Sequence, residues 1–254
     1  MAEQPAAAGT APHSHGQQLM PLLQNRFRPL LAESLGTLIL VTTVVGSGIM
    51  AERLSTTNTG VALLGNTLAT AAVLVVLIEL LGPISGAHLN PAVSLAELAQ
   101  GRLNRQRLGA FIGVQAIGAL MGTTLAHAMF RMPVLGTGLA ARTGPDQWLG
   151  ELVATAGLVV TVNWGCCKPA KRVAPLVALW ITAGYWFTSS TSFANPAVTL
   201  ARAFTPSFSG IRPQDVAWFW LAQVIGALVG VGISRLLGYA CRSTSHSGGS
   251  CTAP

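Results

Sequence analysis

Few of these 254 residues have side chains that do chemistry, and those few are unevenly placed. Cys166 and Cys167 are neighbours, and Cys241 and Cys251 lie near the end. Adjacent cysteines rarely bridge each other and no CxxC occurs, so no disulfide framework is legible. A metal site would have to join the loop pair to the tail, with no histidine at ligand spacing beside it. His13 and His15 sit in an Ala-, Pro-, Gly- and Gln-rich stretch that reads as a solvated end. No nucleophile–base set can be assembled, so neither an enzyme nor a cofactor is expected. What remains is a pair of glutamates, Glu33 and Glu151, and a pair of asparagines, Asn90 and Asn195, each next to or inside an apolar stretch. A carboxylate in such a place is either a proton relay or a buried acceptor for backbone N–H groups. An asparagine amide there offers N–H to a passing oxygen.

The asparagines belong to a duplicated motif. Ser85-Gly86-Ala87-His88-Leu89-Asn90-Pro91-Ala92-Val93-Ser94-Leu95 is echoed by Thr191-Ser192-Phe193-Ala194-Asn195-Pro196-Ala197-Val198-Thr199-Leu200-Ala201. Asn is a good N-cap and Pro fits the first helical position, so each copy predicts the start of a short helix. Both copies follow long apolar segments, which places these helix starts at membrane depth. Free backbone groups there must line a cavity or be buried in protein.

Composition agrees. The chain is 51% hydrophobic and 9% charged, where a soluble domain carries about 25% charged residues. The net charge of +7 is spread over short loops and ends, a pattern that fits membrane topology and not nucleic-acid binding. Six apolar spans are predicted at about 29–51, 60–82, 108–130, 148–166, 173–190 and 215–238, each near the ~20 residues that cross the hydrocarbon. The stretches at about 90–100 and 195–204 are too short and should be re-entrant. Residues 1–27 and 239–254 read as flexible tails, the first with no cleavable signal peptide. With both ends cytoplasmic, ten of the 15 Lys and Arg residues fall inside.

The two halves repeat, over about 28–131 and 148–238. Glu33-Ser34-Leu35-Gly36-Thr37 opens the first span and Glu151-Leu152-Val153-Ala154-Thr155 the fourth. Gln115-Ala116-Ile117-Gly118-Ala119-Leu120-Met121-Gly122 in the third span matches Gln223-Val224-Ile225-Gly226-Ala227-Leu228-Val229-Gly230 in the sixth. Each copy holds a GxxxG, which lets helix backbones approach closely. Three spans per unit force the second unit to be inverted, so the two half-helices meet near the midplane from opposite sides.

On the paired Asn-Pro-Ala motifs and these repeats, the sequence resembles the aquaporin (major intrinsic protein) family over about 28–238. The resemblance implies an all-α membrane fold of six transmembrane helices plus two re-entrant half-helices. It also implies a pore in every protomer of a homotetramer, and passive permeation of water or small neutral solutes. Glu33 and Glu151 would hold the N–H groups of the re-entrant loops. Exposed carbonyls, from Gly86, Ala87 and His88 and from Ser190, Thr191 and Ser192, would form one wall of the pore. His88 would lie near its inner end, as a wall residue or a pH-sensitive one. Glu79 would line the inner mouth or reach the interface.

In that family the second motif is followed by an arginine that narrows the pore; here the position is Val198. Counting from the motifs places Thr70, Ala183 or Gly184, and Ser192 or Phe193 around it. Losing a guanidinium removes charge, donors and bulk, so a wider constriction is expected. That favours glycerol-like solutes or neutral metalloid hydroxides such as arsenous acid, as in aquaglyceroporin-like bacterial members, and a bacterial inner membrane as the location. Two alternatives stand: Arg202, one turn beyond Val198, rebuilds a water-tight filter, or the chain is an ion-coupled secondary transporter.

Overall fold

The computed structural model describes residues 15–134, 136–167 and 172–239. Residues 1–14, with His13, and 240–254, with Cys241 and Cys251, lie outside the described residues, so any metal site using the tail cysteines does too. Eight α-helices are described: α1 His15–Leu54, α2 Thr59–Ser85, α3 Pro91–Ala99, α4 Arg105–Met129, α5 Pro145–Cys166, α6 Val173–Phe187, α7 Pro196–Arg202 and α8 Val216–Leu236. Five of them are long and apolar enough to cross a membrane. Lipid-facing side chains such as Leu68, Leu80, Ile117 and Leu179 are exposed, while the polar groups gather inside.

Two spans depart from the sequence expectation. The first helix begins at His15, so about half of the stretch read as a tail is helical. Gln, Leu and Met are good helix formers, and lengthening an existing helix costs far less than nucleating one. The fifth span is a 15-residue helix that stops at Phe187. There Thr188 turns extended, its N–H and hydroxyl both donate to the Gly184 carbonyl, and the chain enters the second re-entrant loop three residues early.

Within each repeat the first helix packs on the third through glycines. A Cβ on Gly118 would lie 2.2 Å from the Ser34 carbonyl oxygen, and one on Gly226 would lie 2.6 Å from that of Leu152. The half-helices cross over: α3 packs on α8 as well as α4, and α7 on α4 as well as α8. Helix α2 faces α6 across the remaining gap. Two inverted units thus enclose a space that neither could form alone. The end carrying His15 and Tyr239 is termed inner below, the opposite end outer.

Candidate functional site

The re-entrant loops are built alike, residue for residue. Relative to each asparagine, positions −4, −3 and −1 have positive φ: Gly86 (92°), Ala87 (47°) and Leu89 (49°), against Thr191 (61°), Ser192 (51°) and Ala194 (47°). Left-handed backbone costs a non-glycine residue roughly 1–2 kcal/mol, so five of these six are strained. A buried acid holds each loop in place. Glu33 accepts from the N–H groups of His88 (2.9 Å) and Leu89 (2.7 Å), from Ser85 Oγ (2.6 Å) and from Gln115 Nε2 (2.8 Å). Glu151 accepts from the N–H groups of Phe193 and Ala194, both at 2.8 Å, and from Gln223 Nε2 at 2.6 Å. Each glutamine also donates to a half-helix hydroxyl, Ser94 or Thr199. Both acids are fully buried and fully engaged, an arrangement that fits a structural acceptor and leaves little for a proton relay.

Asn90 and Asn195 cap their half-helices through Oδ1, which accepts from the N–H of Ala92 and Ala197. Pro91 and Pro196 begin the helices without losing a bond. The amide nitrogens tie the two halves together: Asn90 Nδ2 donates to the Ala194 carbonyl (2.7 Å) and Asn195 Nδ2 to that of Leu89 (2.8 Å). One hydrogen of each amide is spent on this tie and the other remains for the cavity, which both asparagines line. The amides thus serve the fold by tying its halves together, a duty that the motif alone does not reveal.

The cavity between the repeats has a volume of about 500 Å³. One wall carries Gly86, Ala87, His88, Ser192, Phe193 and Ala194; the other is apolar, with Leu40, Val44, Leu74, Leu158 and Ile181. Ser190 and Thr191 are not on it. The Ser190 carbonyl accepts from Arg142, and its hydroxyl braces the loop by accepting from the Ser192 N–H, as Ser85 does for Ala87. The acceptor wall therefore continues through Ser192, Phe193 and Ala194, the counterparts of Ala87, His88 and Leu89 in the first loop. His88 donates or accepts through Nδ1 at Ser94 Oγ (2.9 Å) and meets Phe111 edge-on. Glu79 and Glu97 line the inner end, and Arg102 pairs with Glu97.

At the outer end the sequence reading needs correction. Ala183 is exposed on the outward face of α6, and Gly184 lies behind Ser192, where a Cβ would come within 2.6 Å of its Oγ. At this end the α6 side chain on the cavity is Tyr185, whose hydroxyl is 3.3 Å from that of Thr70. Val198 lines the cavity and Arg202 lines it too, 2% exposed, stacked on Phe193 with Cζ 3.3 Å from the ring centroid. Its Nε donates to the Ser209 carbonyl. A second arginine was missed altogether. Arg142, in the α4–α5 connection, donates to the Gly210 carbonyl (2.9 Å) and the Ser190 carbonyl (3.3 Å), with Cζ 5.0 Å from the Phe193 centroid. Burial holds its pKa below the ordinary guanidinium value, opposed by the charge of Glu151. The connection is fixed by N–H donation from Gly136 and Gly138 to Phe204 and Ala203 and from Arg212 to Ala140.

The chain is similar to known proteins in sequence and in fold. The chain is 53% identical over 210 residues to the aquaglyceroporin AqpS of Rhizobium meliloti (strain 1021), covering 83% of this chain and 90% of that protein. It is 31% identical over 225 residues to a probable TIP-type aquaporin of Medicago truncatula, covering 82% and 84%. Among solved structures, the aquaglyceroporin from Plasmodium falciparum superposes with a TM-score of 0.61 at 21% identity, covering 82% of this chain and 95% of that one, a likeness of fold. The family model for the major intrinsic protein matches residues 23–187. Paired capped half-helices, buried acids bracing strained loops and the inverted repeat thus coincide with sequence similarity along most of the chain, which belongs to the major intrinsic protein family.

Proposed function

We propose that this membrane protein is a passive channel for water and small uncharged hydroxylated solutes, glycerol foremost, with neutral metalloid hydroxides such as arsenous acid also admitted. The observation that carries the reading is the cavity, with hydrogen-bonding backbone and two asparagine amides on one side and aliphatic side chains on the other. A polyol exchanges hydration for the polar wall and lays its carbons on the apolar one. Its constriction is assigned to Thr70, Tyr185, Ser192 and Arg202, with Phe193 supporting the guanidinium and Val198 leaving room below it. The relative named an aquaglyceroporin supports glycerol as a solute. A homotetramer in a bacterial inner membrane, with repeats at about 28–131 and 148–238 and both termini cytoplasmic, completes the proposal.

Arg202 on the cavity wall favours a second reading, a strict water channel. Stopped-flow light scattering on proteoliposomes separates the two. Swelling in glycerol and arsenous acid well above empty liposomes is expected; water flux alone would establish the strict filter. An ion-coupled transporter would instead give saturable uptake that needs a proton or sodium gradient.

Val198→Arg is expected to lower glycerol flux about tenfold while water flux falls less than about threefold, because a second guanidinium fills the space that admits the larger solute. Equal loss of both in folded protein would remove Val198 from the constriction.

A further inference from the structure

Arg142 is not on the cavity wall, yet its guanidinium bonds to both backbone segments that carry the outer constriction. One is the second re-entrant loop, where Nη1 donates to the Ser190 carbonyl at 3.3 Å, just before Ser192 and Phe193. The other is the segment after α7, where Nε donates to the Gly210 carbonyl at 2.9 Å. The preceding carbonyl, that of Ser209, accepts from Arg202 Nε. Two guanidiniums thus take consecutive carbonyls of one segment. Both also lie against the ring of Phe193, with Cζ 3.3 Å from its centroid for Arg202 and 5.0 Å for Arg142. The field of Arg142 reaches Arg202 and repels it. Arg142 itself is firmly mounted. Its backbone N–H donates to Asp215 Oδ2 at 2.9 Å, and that buried carboxylate is held by Arg212, whose own N–H donates to the Ala140 carbonyl.

We infer that Arg142 is a positioning residue that sets the size limit of the channel by keeping Arg202 turned into the pore. The inference rests on reading the cavity as the pore with Arg202 at its constriction. Two effects act in the same direction. Arg142 occupies the buried carbonyls of Gly210 and Ser190, the first of them one peptide beyond the carbonyl that Arg202 holds. Its charge also opposes any withdrawal of Arg202 toward that side. Without Arg142 the two buried carbonyls lack a donor, which is costly, and the repulsion is gone. Arg202 is then the donor at hand. By turning to them it leaves the constriction to Thr70, Tyr185 and Ser192, and the pore widens.

The test compares fluxes of water, glycerol and the five-carbon polyol ribitol in proteoliposomes. The proteins are the unmodified chain, Arg142→Met, Arg142→Lys, Arg202→Met and the double methionine variant. Methionine keeps an unbranched stem against Phe193 and removes the charge and the donors. In Arg142→Met, ribitol flux relative to water flux is expected to rise about fivefold or more, with water flux within about twofold of the unmodified value. Lysine keeps the charge and serves one carbonyl, so its rise should be less than half as large. Because Arg142 acts through Arg202, the double variant should match Arg202→Met. Effects that multiply instead would show that Arg142 acts independently and overturn the inference. So would an unchanged ratio, or an equal fall for all three permeants, in folded Arg142→Met, since a residue that merely ties loops together would give that result. Size-exclusion profiles check folding; where Arg142→Met does not fold, a rise or none in Arg142→Lys decides. An unmodified protein that conducts water alone removes the glycerol reading. Entry of glycerol into Arg142→Met liposomes would then keep the positioning role, and exclusion of glycerol would overturn it.

Discussion

Glu151→Gln is expected to abolish most water and solute flux and to lower the unfolding temperature in detergent by several degrees. Glutamine keeps the size of the side chain and loses one acceptor. Phe193 N–H and Ala194 N–H each donate to a separate carboxylate oxygen, and Gln223 donates to the second. With an amide in place, an NH₂ group must face either one backbone N–H or the pair formed by the other N–H and the Gln223 amide. Each buried donor left without a partner costs about 1–3 kcal/mol. The loss falls where Thr191, Ser192 and Ala194 hold left-handed backbone, at roughly 1–2 kcal/mol each. The loop then has reason to relax, carrying Ser192 and the Phe193 support of Arg202 out of the mouth. A few kcal/mol at this chain length is worth about 2–4 °C per kcal/mol. The same change tests the proton-relay reading of this residue. A relay that had no structural duty would leave thermal stability and water flux unchanged, and that result would mean that something other than this acid holds the loop.

Glu151 was legible because the chain repeats it. A glutamate beside an apolar span has few explanations, and its twin at Glu33, at the same offset from a matching Thr, halves them again. The asparagine caps, the prolines and the GxxxG pairs were legible for the same reason: local rules of helix starts and close packing act on neighbours in sequence. Tyr185 was not. Placing the α6 side chain by counting from the motifs assumes that the helix runs on to residue 190, whereas it stops at Phe187. At about 100° per residue, a two-residue slip turns a side chain to the opposite face, which is the distance between exposed Ala183 and buried Tyr185. Arg142 was invisible for a different reason. It lies in a connection without periodicity, and reaches the mouth through backbone bonds to residues more than 60 positions away. The carbonyl wall was misread at Ser190 and Thr191 because non-glycine residues with positive φ leave no mark in sequence; they exist here only because the buried acid imposes them.

Two alanine substitutions on one helix should act in opposite directions. Gly118→Ala puts a Cβ 2.2 Å from the Ser34 carbonyl oxygen, with the Ser34 carbonyl carbon at 3.0 Å and its Cα at 3.2 Å. These are backbone atoms of α1, so no rotamer relieves the clash and the two helices must move apart. Gln115 lies one turn before Gly118, and its bond to Glu33 spans the same seam at 2.8 Å. Separation of the helices by about 1 Å takes that bond beyond hydrogen-bonding range. Overpacking of this kind costs about 1–3 kcal/mol before the loop support is counted. Gly118→Ala is therefore expected to lower the unfolding temperature and to reduce flux, as loss of an acceptor at Glu33 would. Gly113, five residues earlier on α4, has no atom within 4 Å of an added Cβ. There alanine should be neutral or should stabilise the helix by up to about 1 kcal/mol. Thermal unfolding of both variants in one detergent, with glycerol flux alongside, measures the contrast. Equal, small effects at the two positions would mean that the α1–α4 seam has slack, and that glycine at 118 does not set the spacing on which the first re-entrant loop depends.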